Sequence, residues 1–176
     1  MKLNEFWQII DNAHNESNGS MDKKCRILKN KLSTLSHEQL IAFSSHFDTM
    51  NHNSYTWPLW GAAYLLNGGC SDDSFTDFRT TLISMGKNTY SRALHDPNTL
   101  SEVKFDQNDP CYEGYEYAVN DVLQEQLGDI PKSTSPFPIE PKGEEWDEDE
   151  LEILFPTLKC IEDQIISQIK PWWKFW

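Results

Sequence analysis

The chain has 176 residues, 28 of them acidic against 15 basic, for a formal net charge of −13. The length fits one domain with a tail to spare, and the charge excludes nucleic acid as a direct partner, because displacing phosphate counterions requires a basic face. Hydrophobic residues make up only 38%, yet seven Trp, nine Phe and six Tyr bury enough area each to build a core beneath a strongly polar surface.

Phe6, Ile9, Ile10 and Ala13 fall at i, i+3, i+4 and i+7 and predict a helix over 5–14, with Asn4 as N-cap. After a turn at 15–20, Met21, Cys25, Leu28 and Leu32 mark a second helix. Ser36-His37-Glu38-Gln39 is a capping box that opens a third, whose stripe is Leu40, Phe43, Phe47 and Met50. Residues 51–56 are polar and break or extend that helix. Pro58 suits a first helical position, so Trp57 is expected to cap a helix over 59–66 that Asn67-Gly68-Gly69 closes.

Ser71 or Asp72 then caps a helix whose face is Phe75, Phe78, Leu82 and Met85. Gly86 marks a break, Tyr90, Ala93 and Leu94 continue, and Pro97 stops the pattern. The chain is irregular from Leu100 to Pro110. Tyr115, Ala118, Val119, Val122 and Leu123 make another helix, ended by Gly128. Four prolines between 130 and 143 (Pro131, Pro136, Pro138, Pro141) require an extended crossing segment. Leu151, Leu154, Leu158, Ile161, Ile165 and Ile169 form a last stripe with Pro156 early in it, before the aromatic tail Trp172-Trp173-Lys174-Phe175-Trp176.

Apolar–polar alternation is nearly absent, and no βαβ unit or fixed-period repeat occurs. The expectation is an all-α chain: a single compact domain of about seven or eight helices with a proline-rich connecting segment. Residues 1–159 form the helical domain, with 130–143 crossing it, and 160–176 hold the C-terminal helix end and aromatic tail.

Several pieces are long and unusual. They are E-F-W-Q-I-I at Glu5–Ile10, W-P-L-W-G-A-A-Y-L-L-N-G-G-C-S-D-D-S-F-T-D-F-R at Trp57–Arg79, and G-E-E-W-D-E-D-E-L at Gly143–Leu151. With Gly86, Tyr90, Ala93-Leu94 and Pro97 they closely resemble the uncharacterised bacterial family catalogued as domain-of-unknown-function family 4240, over most of residues 1–155. The tail after about Lys159 is longer and more apolar than the family pattern. The resemblance implies a mostly helical fold and a bacterial source, and carries over no catalytic residue.

The four cysteines, Cys25, Cys70, Cys111 and Cys160, form no C-x-x-C pair and read as free thiols, mostly small buried hydrophobes. Five scattered histidines make no metal or catalytic motif, and no P-loop, G-x-S-x-G or dinucleotide glycine pattern is present. No metal, cofactor or catalytic residue is therefore expected. The N-terminal residues are polar within five positions and no run approaches the length of a membrane span, so the expected location is the cytoplasm, with no membrane partner.

Two places remain. Trp57, Trp60 and Tyr64 share a helical face and, with Asp72, Asp73 and Arg79, are either core and helix-end structure or a candidate ligand pocket. A Cys70 nucleophile there would need His46 or His52 as base. Glu144, Glu145, Asp147, Glu148 and Asp149 surround Trp146 in an acidic run. It either starts the last helix, with Trp146 pinning the proline segment, or presents a patch to a basic protein. A small acidic helical protein without a catalytic signature fits an immunity protein or antitoxin that masks a basic toxin. The alternative is a small-molecule binder or enzyme at Trp57–Arg79.

Overall fold

The apolar stripes become helices in the computed structural model, which describes residues 1–133 and 136–161. Seven α-helices carry the fold: α1 (Leu3–Ser17), α2 (Met21–Leu32), α3 (His37–Asn53), α4 (Trp57–Asn67), α5 (Asp72–Ser84), α6 (Lys87–His95) and α7 (Gly114–Leu127). One further turn, α8 (Leu151–Leu154), follows, and 3₁₀ turns occupy Pro97–Glu102, Asp106–Asn108 and Glu148–Glu150. Among the described residues the β structure is one isolated parallel bridge, between Thr56 and Lys142. The chain is a single all-α domain.

Local chemistry sets the helix starts. The hydroxyls of Ser20, Ser36, Thr56 and Ser71 each accept a backbone N–H three residues on, so each helix they precede begins with an orphan donor satisfied. The Ser36–Gln39 capping box is complete in both directions. Two expected caps move. The first helix begins at Leu3, where the Glu5 carboxylate takes the Lys2 backbone N–H at 2.6 Å, so Asn4 is already helical. Thr56 rather than Trp57 caps α4, because its hydroxyl can accept a hydrogen bond and an indole cannot. Of the two readings of the polar residues after Met50, extension holds: the third helix runs on to Asn53.

At the centre lies α5, which packs against α1, α3, α4, α6 and α7. Its residues from Phe78 to Ser84 are all buried, so this segment is enclosed on every side. Phe6 meets Phe43 at 4.9 Å between ring centroids, joining α1 to α3, and Trp7 meets Tyr90 at 5.2 Å, joining α1 to α6.

The described residues of the proline-rich segment, 130–133 and 136–143, form no helix, and its end lies against the start of α4. It is fastened where Trp57 N donates to Lys142 O (2.9 Å) and Lys142 N donates to Tyr55 O (3.0 Å). The expected last stripe breaks at Phe155, because the following Pro156 disfavours helical geometry in the residue before it. Leu151, Phe155 and Leu158 are buried and Leu154 is exposed; Ile165, Ile169 and the tail lie outside the described residues.

This C-terminal stretch docks on α4 because Gly61 has no side chain. A Cβ there would stand 2.7 Å from Leu151 Cδ2, 3.0 Å from Phe155 Cε2 and 3.1 Å from Trp146 Cδ1. Gly61→Val is expected to cost about 1–3 kcal/mol by overpacking. Hydrogen exchange should quicken in residues 146–158 while α1, α2 and α7 keep their protection.

Candidate functional site

The Trp57–Arg79 block brings its aromatic rings together in a stack. Trp57 and Trp60 stack at 5.3 Å, and Trp60 stacks on Phe75 at 5.0 Å. The Trp60 indole donates to Cys70 O at 3.0 Å, tying α4 to the turn before α5. Tyr64 lies against Trp146 at 5.5 Å.

Arg79 is the unexpected member. It is only 2% exposed, and it pairs with neither Asp72 nor Asp73. Both aspartates instead stay exposed in the first turn of α5, where the positive end of the helix dipole favours them. The Arg79 guanidinium carbon sits 4.9 Å from the Tyr55 ring centre and 5.1 Å from those of Phe75 and Phe137. Its Nε donates to Phe75 O (3.3 Å), Nη1 to Asn51 O (3.1 Å) and Nη2 to Thr76 Oγ1 (3.0 Å). Burial pushes the group down to about 10, against the opposing pull of Tyr55, Asp72 and Glu116.

In the acidic run, Trp146 turns inward. Its indole donates to Trp57 O at 2.9 Å and its ring meets Trp57 edge-on at 5.9 Å. Glu144, Glu145, Asp147, Glu148 and Asp149 are all exposed around it. Tyr64 OH donates to Glu148 at 2.5 Å, and Asp147 caps the short turn by accepting from Asp149 N at 3.2 Å. The ion pairs among the described residues, Lys24–Asp106, Lys29–Asp121, Arg92–Glu102 and the His14–Asp106 contact, use none of these carboxylates.

A second polar centre gave no motif. Lys24 of α2 is fully buried, pairs with Asp106 and donates to Ser84 Oγ of α5 at 3.2 Å. His14 of α1 places Nδ1 3.7 Å from Asp106 Oδ2. Two adjoining cavities of about 640 and about 420 Å³ share His14, Asn15, Met85 and Thr89, and the smaller also reaches Asp106. Burial lowers Lys24 against the pull of Asp106, and burial followed by the Lys24 charge lowers His14. A lowered His14 is neutral near neutral pH and able to accept a proton, with a carboxylate behind it. Residues 14, 24 and 106 share no spacing. The one available signal was Lys24 itself, three residues after Met21 and four before Leu28 on an otherwise apolar face.

The cysteines also differ from expectation. Cys25 alone is buried; Cys70, Cys111 and Cys160 are half-buried. His46 faces Met1 O at 3.2 Å and His52 packs on Phe137, while the Cys70 thiol is directed at Ser71 O. Nearby, burial first and then Glu113, Glu116, Asp109 and Asp73 push the Asp77 carboxyl up to about 6.

The chain belongs to the family described as "Protein of unknown function (DUF4240)", whose model matches residues 1–125. No curated protein and no solved structure matches it. The matched span holds the Tyr55–Phe75–Arg79 cluster and the Lys24–Asp106 pair; Phe137 and the acidic run lie beyond it. Among the described residues, no helix is long and apolar enough to cross a membrane.

Asp106→Asn is expected to destabilise by about 3–5 kcal/mol, because Lys24 is left buried without its counter-charge. Lys24→Met combined with Asp106→Leu should recover most of that loss, as read by urea unfolding.

Asp77 binds protons more tightly in the folded chain than in the unfolded one, so it opposes folding above pH 6 and stops doing so as pH falls toward 4. Asp77→Asn should raise Tm by a few degrees at pH 7.5, with the difference shrinking through that window.

Proposed function

We propose that this protein acts by binding another protein, as a cytoplasmic immunity protein or antitoxin that neutralises a basic bacterial toxin by covering its active surface. The observation that supports this is the acidic run. Its carboxylates of Glu144, Glu145, Asp147, Glu148 and Asp149 are exposed on a segment already fastened by Trp146 and by the Tyr64–Glu148 bond. A segment held in place before binding loses less conformational entropy on association. Negative charge presented this way, on a chain of net charge −13, speeds encounter with a positive partner and discriminates against acidic ones. Trp146 serves as the anchor of the run on its own domain, so the partner reads the carboxylates around it.

The test is capture of partners by the tagged protein from a lysate of its own source cells, followed by kinetics with the partner recovered. One basic protein is expected in stoichiometric amount, toxic when expressed alone. Its association rate should fall by about tenfold or more between roughly 0.05 and 0.5 M salt. Glu144→Lys with Glu145→Lys and Asp149→Lys should slow association to a similar degree without lowering Tm. Recovery of no basic partner at either salt, or an association rate indifferent to salt and to the charge reversals, would overturn the reading.

A further inference from the structure

Two cavities lie between the C-terminal half of α1 and the start of α6. Their volumes, about 640 and about 420 Å³, fall in the range of roughly 300–1,000 Å³ that small-molecule sites occupy. His14, Asn15, Met85 and Thr89 line both, so the two share a wall. The frame around them is tied across elements. Asp11 Oδ1 accepts from Lys87 N at 2.8 Å and joins α1 to the first turn of α6. Arg92 Nη2 donates to Glu102 Oε2 at 2.5 Å and joins α6 to the 3₁₀ turn that follows it.

Asp106 lines the smaller cavity and is only 7% exposed. Its Oδ2 is held by the buried Lys24 ammonium. The next residue, Gln107, accepts from Met21 N at 2.9 Å through its side chain and keeps this turn on α2. Asp106 Oδ1 has no donor among the described residues. It lies 3.8 Å from where a Cβ on Gly19 would stand, and Gly19 lines the same cavity. A side chain at 19 would lie against that oxygen, and glycine leaves it uncovered. A buried carboxylate oxygen that is anchored but lacks a donor is a place for a ligand's O–H.

The walls narrow the class of ligand. Asn15, Asn18, Asn88, Thr89 and Ser91 each carry a side chain that both donates and accepts hydrogen bonds, as a ligand hydroxyl does. No aromatic ring is among the described lining residues, so a nucleobase or other flat ring has no face to stack on. Charge on the walls is balanced, with Asp11, Glu102 and Asp106 against Lys87, Arg92 and Lys104. An anion gains little there and is repelled by a chain of net charge −13. A cation at Asp106 meets the Lys24 ammonium already paired with it.

We propose that this hollow binds a small uncharged polyhydroxylated molecule, a monosaccharide or a sugar alcohol, with one hydroxyl donating to Asp106 Oδ1 and others bonded to Asn15, Asn88 and Thr89. The site shares no residue with the acidic run, so it stands whether or not a protein partner is found.

The test is a titration of the ¹⁵N-labelled full chain with D-glucose, D-galactose, D-mannose and D-mannitol, each to about 20 mM, followed by amide chemical shifts. At least one of the four is expected to give saturable shifts concentrated at residues 14–19, 85–92 and 102–106, with Kd of about 1 mM or tighter. Glucose 6-phosphate and glucosamine should bind about tenfold more weakly than the uncharged probe that binds best. Asn15→Leu and Thr89→Val should each weaken that probe by about tenfold and leave Tm unchanged. The proposal is overturned by saturation with none of the four, by shifts centred elsewhere, by tighter binding of either charged analogue, or by affinity that both substitutions leave intact. The mapping on the unsubstituted chain decides it even where a variant fails to fold.

Discussion

The arrangement around α5 depends on one buried cation. Arg79 lies in the interior with no carboxylate paired to it among the described residues, which for an ion of this size is costly unless something else supplies negative potential. Three things do. The Asn51 carbonyl belongs to the last turn of α3, where unpaired carbonyls gather the negative end of the helix dipole. The faces of Tyr55, Phe75 and Phe137 offer their π-electron density to the planar guanidinium. Thr76 and the Phe75 carbonyl take two of the remaining N–H groups. A single side chain thereby fixes the end of α3, the turn into α4, the body of α5 and the proline-rich segment relative to one another.

The same region shows how the fold disposes of other helix-end carbonyls. Met50 O, one residue before the Arg79 acceptor, receives the Tyr90 hydroxyl at 2.6 Å and the Ser54 hydroxyl at 3.0 Å. The C-terminal turn of α3 is thus satisfied from α5, from α6 and from its own exit. The other buried cation, Lys24, is handled differently, by a direct ion pair with Asp106 and a hydroxyl of α5. Both cations abut α5, which explains why a helix carrying Arg79, Thr80, Thr81 and Ser84 in its buried stretch serves as the central one. Arg79, Thr81 and Ser84 are partners its neighbours need, while Thr80 bonds back to Asp77 O of the same helix.

Surface and interior divide the residues singled out from the sequence. The tryptophans that looked like a ligand face are spent on holding α4, the turn before α5 and the acidic run together. The carboxylates of that run remain outside and are positioned by the aromatics beneath them. Asp72 and Asp73 likewise face solvent.

Helix positions were legible from sequence because they depend on neighbours along the chain. The stripes of α2, α5 and α7, the Ser36–Gln39 box and the glycine stops rest on side-chain periodicity and capping within a few residues. The lack of helix in the described part of 130–143 was equally plain, since proline excludes helix locally. What the periodicity misjudged was the last stripe, where Pro156 and docking on Gly61 ended the helix after one turn. The environment of Arg79 and the Lys24–Asp106–His14 centre were decided by tertiary structure alone. Each joins residues far apart in the chain, and whether a charge is exposed, paired or buried depends on what the packed helices place around it.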